Sequence, residues 1–359
     1  MKKYFLQLLL FFCFSANAQT TDSSWAQKPT VSLEAFADIY YVFDFNQPTQ
    51  GFRMPFLYNH NRHQEVNLNL GYVKWNISHQ KYRANLALQA GTYVQDNYAA
   101  EPILLRPLLE ANVGVALDKK DRFWFDMGVF PSHIGFESAV SPDNWTMTRS
   151  LLAENSPYFL AGAKWTYSPS QKWQFMLAAL NGWQRIQRLP NHRIPALGTQ
   201  IVYKPKEGIT LNWSTFIGSD DPNTPAKKRY FSNQYGIFTL STKSRLIAGI
   251  DVGVQQKRAI MQSDFSLWYS PVVIAQYDLS KNMKMAGRIE YYQDRDGVLI
   301  SSENNGEFRT WGYSLNLDYA PAAPLLARVE ARYLPLHQGN SSFFVGTSLS
   351  LKFGQIFHE

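Results

Sequence analysis

The residues best suited to catalysis lie in one segment, where Ser132 and His133 are followed by Glu137 and Asp143. A nucleophilic hydrolase needs a serine, a histidine and an orienting carboxylate that converge on one point. Adjacent residues of an extended segment point in opposite directions, so Ser132 and His133 do not converge. The other histidines are predicted to lie in loops, in a turn or in the tail: His60, His63, His79, His192, His337 and His358. The sequence therefore predicts no catalytic residues and no enzyme.

Two short segments contain side chains that could bind a metal ion. His60 and His63 with Glu65 offer two imidazoles and a carboxylate, a composition found in zinc sites. Residues 294–297 begin like a calcium loop, but Val298 stands where a further oxygen ligand is needed. We therefore predict no metal site and no cofactor. No glycine-rich phosphate loop occurs, and nucleic acid is not expected as a partner.

The N-terminus has the three parts of a secretory signal peptide. Lys2 and Lys3 precede an apolar stretch at 4–14, and small residues follow up to Ala18. We predict a signal peptide at 1–18 and a periplasmic segment at 19–29. Cleavage would remove Cys13, the only cysteine of the chain. The mature protein would then have no thiol or disulfide chemistry, and the loss of two lysines would lower the formal charge of +7 by two.

The composition excludes a disordered chain and a bundle of membrane helices. Hydrophobic residues make up 45% of the chain, charged residues 18% and aromatic residues 15%. The apolar stretch at the N-terminus is too short to span a bilayer as a helix. The high aromatic content is typical of a protein whose outer surface meets a lipid interface.

After residue 30 the sequence repeats stretches of alternating polarity, which indicates β-strands. In the first stretch, alternate positions from Val31 to Phe45 are apolar, whereas Glu34 and Asp38 lie on the other face. The predicted strands lie near 31–45, 64–79, 82–95, 108–118, 121–130, 157–168, 171–183, 194–204, 207–218, 229–242, 244–257, 264–279, 281–294, 308–320, 324–335 and 343–353.

The connections between these strands alternate in length. Tight turns are predicted near 79–81, 118–121, 168–171, 204–208, 241–244, 279–281 and 321–323, and longer connections near 46–63, 96–107, 131–156, 184–193, 219–228, 295–307 and 336–341. Outer-membrane barrels have short periplasmic turns and long external loops. We predict an all-β fold, a transmembrane antiparallel up-and-down β-barrel of about sixteen strands at 30–353, with a C-terminal tail at 354–359.

If the apolar face meets lipid, the other face lines the inside of the barrel. The predicted pore-lining residues are Glu34, Asp38, Arg83, Glu110, Asp126, Lys164, Arg245, Asp251, Lys284, Arg288, Glu290, Arg328, Glu330, Arg332 and Lys352. A cylinder of about sixteen strands is too wide for side chains to fill, so we expect a water-filled channel. Basic residues prevail on the late strands and acidic residues on the early ones. This distribution predicts a transverse field and a weak anion preference.

The longest predicted loop, 131–156, contains apolar residues that should pack against another part of the molecule. If this loop folds into the barrel, it forms a constriction whose charged residues face the basic strands. The candidate constriction residues are His133, Glu137, Asp143, Arg149 and Glu154. An external cap or a contact within a trimer remains an alternative for this loop.

Several motifs resemble an outer-membrane β-barrel porin family called OmpL-like. They are Asp126-Met-Gly-Val-Phe-Pro-Ser-His-Ile-Gly-Phe-Glu137, Asp143-Asn-Trp145, Ser150-Leu-Leu-Ala-Glu-Asn-Ser-Pro-Tyr158 and Leu180-Asn-Gly-Trp-Gln184. The similarity extends over the mature chain, with the specific motifs between about 120 and 185. The resemblance implies a passive channel in the outer membrane of a Gram-negative bacterium and no particular substrate.

Two functions remain open at this point. The first is a porin through which small hydrophilic solutes and ions diffuse, and the second is a non-conducting structural or adhesive barrel. Expected partners are outer-membrane lipid and lipopolysaccharide. Basic residues 227–229 either contact lipopolysaccharide phosphates or form a solvated surface. The barrel assembly machinery is another expected partner, because residues 346–351 resemble its recognition signal. A homotrimer is one arrangement open to such a barrel.

Overall fold

The computed structural model describes residues 23–190, 192, 194–223, 226–259, 264–300, 307–336 and 341–357. The predicted signal peptide, His337 and His358 lie outside these residues. Within them, no helix is both long and apolar enough to cross a membrane, a finding that concerns helices and does not bear on β-strands.

Sixteen antiparallel strands form a closed barrel in which each strand pairs with its neighbours in the chain and β1 pairs with β16. The strands are β1 Thr30–Asp44, β2 Val66–Ser78, β3 Tyr82–Ala90, β4 Leu108–Ala116, β5 Phe123–Pro131, β6 Phe159–Ser170, β7 Trp173–Leu180, β8 Ala196–Tyr203, β9 Ile209–Gly218, β10 Arg229–Thr239, β11 Ser244–Gln256, β12 Phe265–Asp278, β13 Met283–Asp294, β14 Phe308–Ala322, β15 Leu325–Leu334 and β16 Ser342–Phe357. The predicted fold class and strand number are confirmed.

The last strand is longer than the sequence predicted. β16 continues to Phe357, which pairs with Val31, and Gly354 pairs with Glu34. The predicted tail at 354–359 is therefore strand as far as Phe357. The reason is that β1 would otherwise have an unpaired edge, and backbone polar groups in a membrane need partners within the barrel.

All short turns lie at one end of the barrel and all long loops at the other, as predicted. We call the loops L1 (45–65), L2 (91–107), L3 (132–158), L4 (181–195), L5 (219–228), L6 (257–264), L7 (295–307) and L8 (335–341). In outer-membrane barrels the end with the long loops is the extracellular end. Among the described loop residues, two short α-helices occur, α1 Thr92–Asn97 in L2 and α2 Leu151–Glu154 in L3.

The strand predicted at 82–95 ends early, at Ala90. Gly91 has a φ of +129°, and a Cβ at this position would lie 2.4 Å from the carbonyl oxygen of Asn69. This close approach needs a glycine and breaks the extended backbone. The chain then enters α1, whose residues Tyr93 and Val94 are buried inside the barrel against Leu70 of β2.

The outer face of the barrel is apolar, with aromatic residues near the turn end. Trp173 stacks on Tyr203 of the neighbouring strand with ring centroids 4.1 Å apart. Tyr167, Tyr277 and Tyr319 are exposed at the same end. This belt matches the aromatic girdle expected where a barrel meets the membrane interface.

The inner face is apolar at the loop end, which differs from the predicted water-filled interior lined by charged residues. Inward-facing side chains of many strands form a ring there: Tyr40, Val42, Phe216, Phe231, Trp268, Tyr292, Phe308 and Phe344. Loops L1, L3, L4 and L7 pack against this ring through Leu57, Met147, Trp183 and Ile300, respectively. Strand alternation separates the two faces but does not show which inward positions a loop will cover.

Candidate functional site

L3 folds into the barrel, where three arginines hold its backbone. Arg328 donates to the carbonyl oxygens of Ser141 at 2.6 Å and Asn144 at 2.9 Å. Arg288 donates to the carbonyl oxygen of Thr148 at 2.7 Å. Arg332 donates to that of Arg149 at 3.0 Å. Three of the basic residues predicted on the late strands, Arg288, Arg328 and Arg332, therefore bind one side of L3.

Acceptors on the same strands hold the N–H groups of L3. Glu330 accepts from the backbone N–H of Thr148 at 2.6 Å, and Glu290 accepts from that of Leu151, also at 2.6 Å. The side-chain oxygen of Asn316 accepts from the N–H of Met147 at 3.0 Å. Strands β13, β14 and β15 thus bind both kinds of backbone group, which fixes the position of residues 141–151. We call this set of contacts the L3 clamp.

The charges of the clamp also neutralise one another. Arg288 lies 3.0 Å from Glu330, and Arg332 lies 2.6 Å from Glu290. Arg328 forms a two-pronged contact with Asp318, with distances of 2.8 and 3.0 Å. The three arginines are each 1% exposed. These residues face inward as predicted, but L3 covers them, so the expected transverse field does not act on free solution at this wall.

Inward glycines make room for L3. A Cβ on Gly198 would lie 2.7 Å from the ring of His133, and one on Gly346 would lie 3.0 Å from the methyl group of Met147. Glycines inside strands are uncommon unless another group approaches closely. Their positions on β8 and β16 are a sequence signal for the path of the loop that the strand analysis did not use.

His133 and Glu137 are engaged in holding L3. His133 donates through Nε2 to the carbonyl oxygen of Thr215 at 3.0 Å, and burial lowers its pKa to about 4. Glu137 accepts hydrogen bonds from the hydroxyl and N–H of Ser150, while burial raises the pKa of its carboxyl group. Ser132 donates no proton to His133 among the described contacts; its hydroxyl accepts from the N–H of Ile134.

A cavity of about 430 Å³ remains between L3 and the early strands; we call it the inner cavity. Its charged lining residues are Glu34, Lys74, Glu110, Glu137, Asp143 and Lys352. Lys74 pairs with Glu110 at 2.6 Å, and Lys352 pairs with Asp143 at 3.2 Å. Tyr72 donates to Glu34. Predicted pore-lining and constriction residues are therefore brought together here, around a space that admits water.

Lys74 and Tyr72 were missed as site residues by the sequence analysis. Both lie on β2 at inward positions, facing the same interior as Glu34 of β1. The alternation of Val73, Trp75 and Ile77, all exposed on the outer face, contained the signal needed to place Lys74 inside.

A second space, of about 210 Å³, opens among L1, L2, L3 and L4 at the loop end, and we call it the vestibule. Glu154 lines the vestibule, whereas Tyr93 and Tyr158 line the inner cavity. The hydroxyl of Tyr158 donates to Glu154 at 3.0 Å. Tyr93, Tyr158 and Glu154 therefore lie between the two spaces, and we call these three residues the partition.

Contacts from L1 and L3 keep the partition closed. Asn59 donates to the hydroxyl of Tyr158 at 2.7 Å, and the N–H of Tyr58 donates to Glu154 at 2.9 Å. The guanidinium of Arg149 lies 3.4 Å from the centroid of the Tyr158 ring. Burial raises the pKa of Tyr158 well above its usual value, so this hydroxyl stays protonated.

The other predicted inner residues form local pairs at different heights. His60 Nε2 lies 2.8 Å from Asp38, and Arg83 lies 2.6 Å from Asp126. Arg245 pairs with Asp278 at 2.8 Å near the turn end. Three further residues are separate from the L3 clamp: Lys164 over the ring of Phe130, Asp251 bound by Asn233, and Lys284 exposed near the turns.

The histidines considered as metal ligands do not form one site. His60 contacts Asp38, whereas His63 accepts from the N–H of Asp44 at 3.0 Å. Glu65 accepts from Asn67. The part of the chain that the structure describes holds no group of three or more His, Cys, Asp or Glu side chains able to bind a metal.

A comparison with protein families gives one match that covers nearly the whole barrel. The family, described as "Putative beta-barrel porin-2, OmpL-like", matches residues 30–355. The chain belongs to this family. The resemblance noted in the sequence is thus confirmed, and the protein is an outer-membrane porin by family. Comparison with curated protein sequences gives no match.

Solved structures share the fold at low sequence identity. The outer membrane channel DcaP of Acinetobacter baumannii is 13% identical, with a TM-score of 0.59 over 91% of this chain and 98% of that chain. The trimer form of OmpT from Vibrio cholerae is 8% identical, with a TM-score of 0.60 over 91% and 100%. An anion-selective porin from Comamonas acidovorans is 8% identical, with a TM-score of 0.59 over 91% and 100%.

Proposed function

We propose that the protein forms a water-filled channel through which small hydrophilic solutes and ions diffuse passively across the outer membrane. The observation that carries this proposal is the charged inner cavity, which lies next to the vestibule with Tyr93, Tyr158 and Glu154 between the two spaces. A charged lining inside a membrane protein is stable only when water or a counter-charge is present. Family membership supports the same function.

The channel follows the early strands. The inner cavity is bounded by L3 on one side and, on the other, by residues of β1, β2 and β4, with Lys352 of β16 at the edge. On the opposite side, the L3 clamp leaves its arginines buried. In this proposal L3 is the constriction loop, Glu34, Glu110 and Lys352 line the pore, and Arg288, Arg328 and Arg332 position the loop.

The inner cavity favours cations weakly. Besides Glu137, which is buried and bound by Ser150, its charged lining residues comprise three carboxylates, Glu34, Glu110 and Asp143, and two lysines, Lys74 and Lys352. The weak anion preference predicted from the sequence remains untested, and it depended on the basic residues that L3 now covers. Because the water-accessible groups determine ion selectivity, the geometry supports a weak preference of the opposite sign.

Single-channel recording tests this function. The purified protein, folded in detergent and shown to be heat-modifiable in electrophoresis, is inserted into a planar bilayer under a salt gradient. Stable current steps with a reversal potential of the cation-selective sign support the proposal. A folded protein that inserts without any current contradicts it.

The alternative is a non-conducting structural or adhesive barrel, which the apolar ring at the loop end favours. Phe231, Trp268 and Phe344 belong to this ring, and L1, L3, L4 and L7 cover it. If no current is seen, this filled end becomes the main functional surface. Binding of the folded protein to surface glycans would then be the next measurement.

Location and partners follow from the proposed channel and the family. The family implies the outer membrane of a Gram-negative bacterium. We further propose export through a signal peptide cleaved after Ala18, contact of L5 residues Lys227 and Lys228 with lipopolysaccharide, and recognition of β16 by the barrel assembly machinery. Arg229, the third basic residue of the predicted lipopolysaccharide contact, begins β10 and is buried inside the barrel against Trp183, so the structure removes it from this set. A homotrimer is also proposed, and the similarity to the trimer form of OmpT supports it.

A further inference from the structure

Four polar side chains lie together on the outer wall, at the middle of strands β8, β9 and β10. Thr199 pairs in register with Thr215, and Thr215 pairs with Ser232. Gln234 lies two residues further along the outer face of β10, opposite Trp213. We call Thr199, Thr215, Ser232 and Gln234 the outer polar row. Its height on the strands places it in the hydrocarbon region of the membrane.

The side chains of the row satisfy one another only in part. The hydroxyls of Thr199 and Thr215 lie 2.6 Å apart, and Trp213 Nε1 donates to Ser232 at 3.0 Å. Gln234 is exposed, and its amide reaches the Ser232 hydroxyl at 3.5 Å. That distance is at the limit of a hydrogen bond. Among the described contacts, the amide oxygen of Gln234 accepts nothing, so the row presents both a donor and an acceptor to its surroundings.

The rest of the outer wall is different. On the described strands, the outward positions away from strand ends are otherwise apolar or aromatic, except for Thr347. The Thr347 hydroxyl donates to the carbonyl oxygen of Arg328 at 3.0 Å and is therefore satisfied within the wall. Polar groups that face lipid without a partner are unfavourable. The outer polar row is thus a local departure from a lipid-facing surface.

A groove of about 620 Å³ lies directly below the row. Gly236 is one of its lining residues, and the ring of Phe238 packs against the place where a Cβ of residue 236 would stand. Trp213, Phe238 and Ala248 contribute to its walls. The groove can accommodate a protruding side chain next to the amide of Gln234. Small residues and polar hydrogen bonds together are typical of contacts between proteins within membranes.

We infer that the outer polar row is a contact surface between copies of this chain, with the symmetry axis of the assembly beside Gln234. Residues next to a symmetry axis meet their own counterparts. An amide both donates and accepts, so Gln234 is complementary to a second Gln234. An acyl chain can fill the groove but offers no hydrogen bond to the amide. The inference concerns only the outer wall and does not depend on conduction.

Cysteine cross-linking tests this contact, because residues 14–359 contain no cysteine. Gln234→Cys is compared with Ile289→Cys, an exposed mid-strand position of β13 on another part of the wall. Both variants are oxidised in native membranes and analysed by electrophoresis without reductant. If the outer polar row is a contact between copies, the covalent dimer band of Gln234→Cys is at least several times stronger than that of Ile289→Cys. Equal bands, or no band at Gln234→Cys, overturn it.

A second measurement gives the number of copies. Light scattering, corrected for bound detergent, gives the mass of the protein in the wild-type complex. The same mass is measured for the double variant Ser232→Ala, Gln234→Leu. Heat-modifiability in electrophoresis first shows that both proteins are folded. An oligomer in the wild type that becomes a monomer in the variant supports the contact. A wild-type monomer, or an oligomer that the variant retains, overturns it.

Discussion

Arg328 and Ser141 are 187 positions apart in the chain, yet Arg328 Nη1 donates to the carbonyl oxygen of Ser141 at 2.6 Å. The same guanidinium pairs with Asp318 of the neighbouring strand. One side chain thus joins the wall of the barrel to L3. This contact, with its counterparts at Arg288 and Arg332, determines which side of the barrel the loop closes and which side it leaves open.

Removal of this contact should loosen L3. We expect Arg328→Gln to lower the free energy of unfolding by about 3–5 kcal/mol, because it leaves Asp318 as a buried carboxylate without its cation. The single-channel conductance should rise as L3 moves more freely. Urea unfolding followed by tryptophan fluorescence gives the first value, and bilayer recording gives the second.

Arg245→Gln is the matched control for this change. Arg245 also pairs with an aspartate, Asp278, but it lies near the turn end and is partly exposed. An exposed pair contributes at most about 1 kcal/mol. If Arg245→Gln alters the conductance as much as Arg328→Gln does, L3 anchoring is not the reason for the effect.

The partition between the vestibule and the inner cavity should respond to the size of residue 158. Tyr158→Ala removes the ring that lines the inner cavity and lies against Arg149. We expect a larger single-channel conductance, measured at fixed salt and voltage. Tyr158→Phe keeps the ring and loses the hydroxyl contacts with Asn59 and Glu154, so its conductance should increase less. An unchanged conductance in Tyr158→Ala would place the path elsewhere.

Ion preference should follow the charges of the inner cavity. Glu110→Gln removes a carboxylate from its lining and should move the reversal potential in a salt gradient towards anion preference. Lys74→Gln should move it in the opposite direction, since it removes one of the two lysines. The two variants are informative together because both remove the salt bridge between Lys74 and Glu110, so they differ only in the sign of the charge that is lost. Shifts of the same sign in both variants would refute electrostatic control at this site.

Acid should weaken the protein through His133. Burial lowers the pKa of His133 to about 4 from an ordinary value near 6.5. Between these values the unfolded chain binds more protons than the folded one. The contribution of neutral His133 to the free energy of unfolding is therefore fully present above about pH 6.5 and decreases as the pH falls to about 4. The difference of about 2.5 units corresponds to a loss of ~3 kcal/mol. Urea unfolding at pH 7 and pH 4 measures it.

Variants separate this effect from other titrations. His133→Gln should lose the part of the pH dependence that belongs to His133, whereas His79→Gln, in a turn at the other end of the barrel, should keep it. If the two variants have the same pH dependence as the wild type, protonation of His133 does not control stability in this range.

The sequence predicted the wall of the barrel well because strand signals are local. Alternation identified sixteen strands, and turn lengths assigned the two ends. Local signals also explain the errors at strand ends. The end of β3 depends on the contact of Gly91 with Asn69, and the end of β16 depends on its pairing with Val31. Both contacts join parts of the chain that are distant in sequence or belong to different strands.

The interior could not be predicted in the same way. Arg288, Arg328 and Arg332 were placed correctly on the inner face, but their partners in L3 are separated from them by more than a hundred residues. Alternation shows that a side chain points inward and not what it meets there. Inward glycines such as Gly198 and Gly346 were the signal that a loop approaches the wall.

The central claim is that solutes pass along the early strands and not along the arginines of the L3 clamp. Single-channel current is recorded for Glu110→Cys and Ser348→Cys before and after addition of a thiol-reactive cation. Ser348 is the control, because it pairs in register with Arg328 of the L3 clamp and is 3% exposed. We predict a lasting reduction of current in Glu110→Cys and none in Ser348→Cys. A reduction only in Ser348→Cys, or no current in either variant or in the wild type, would contradict the account.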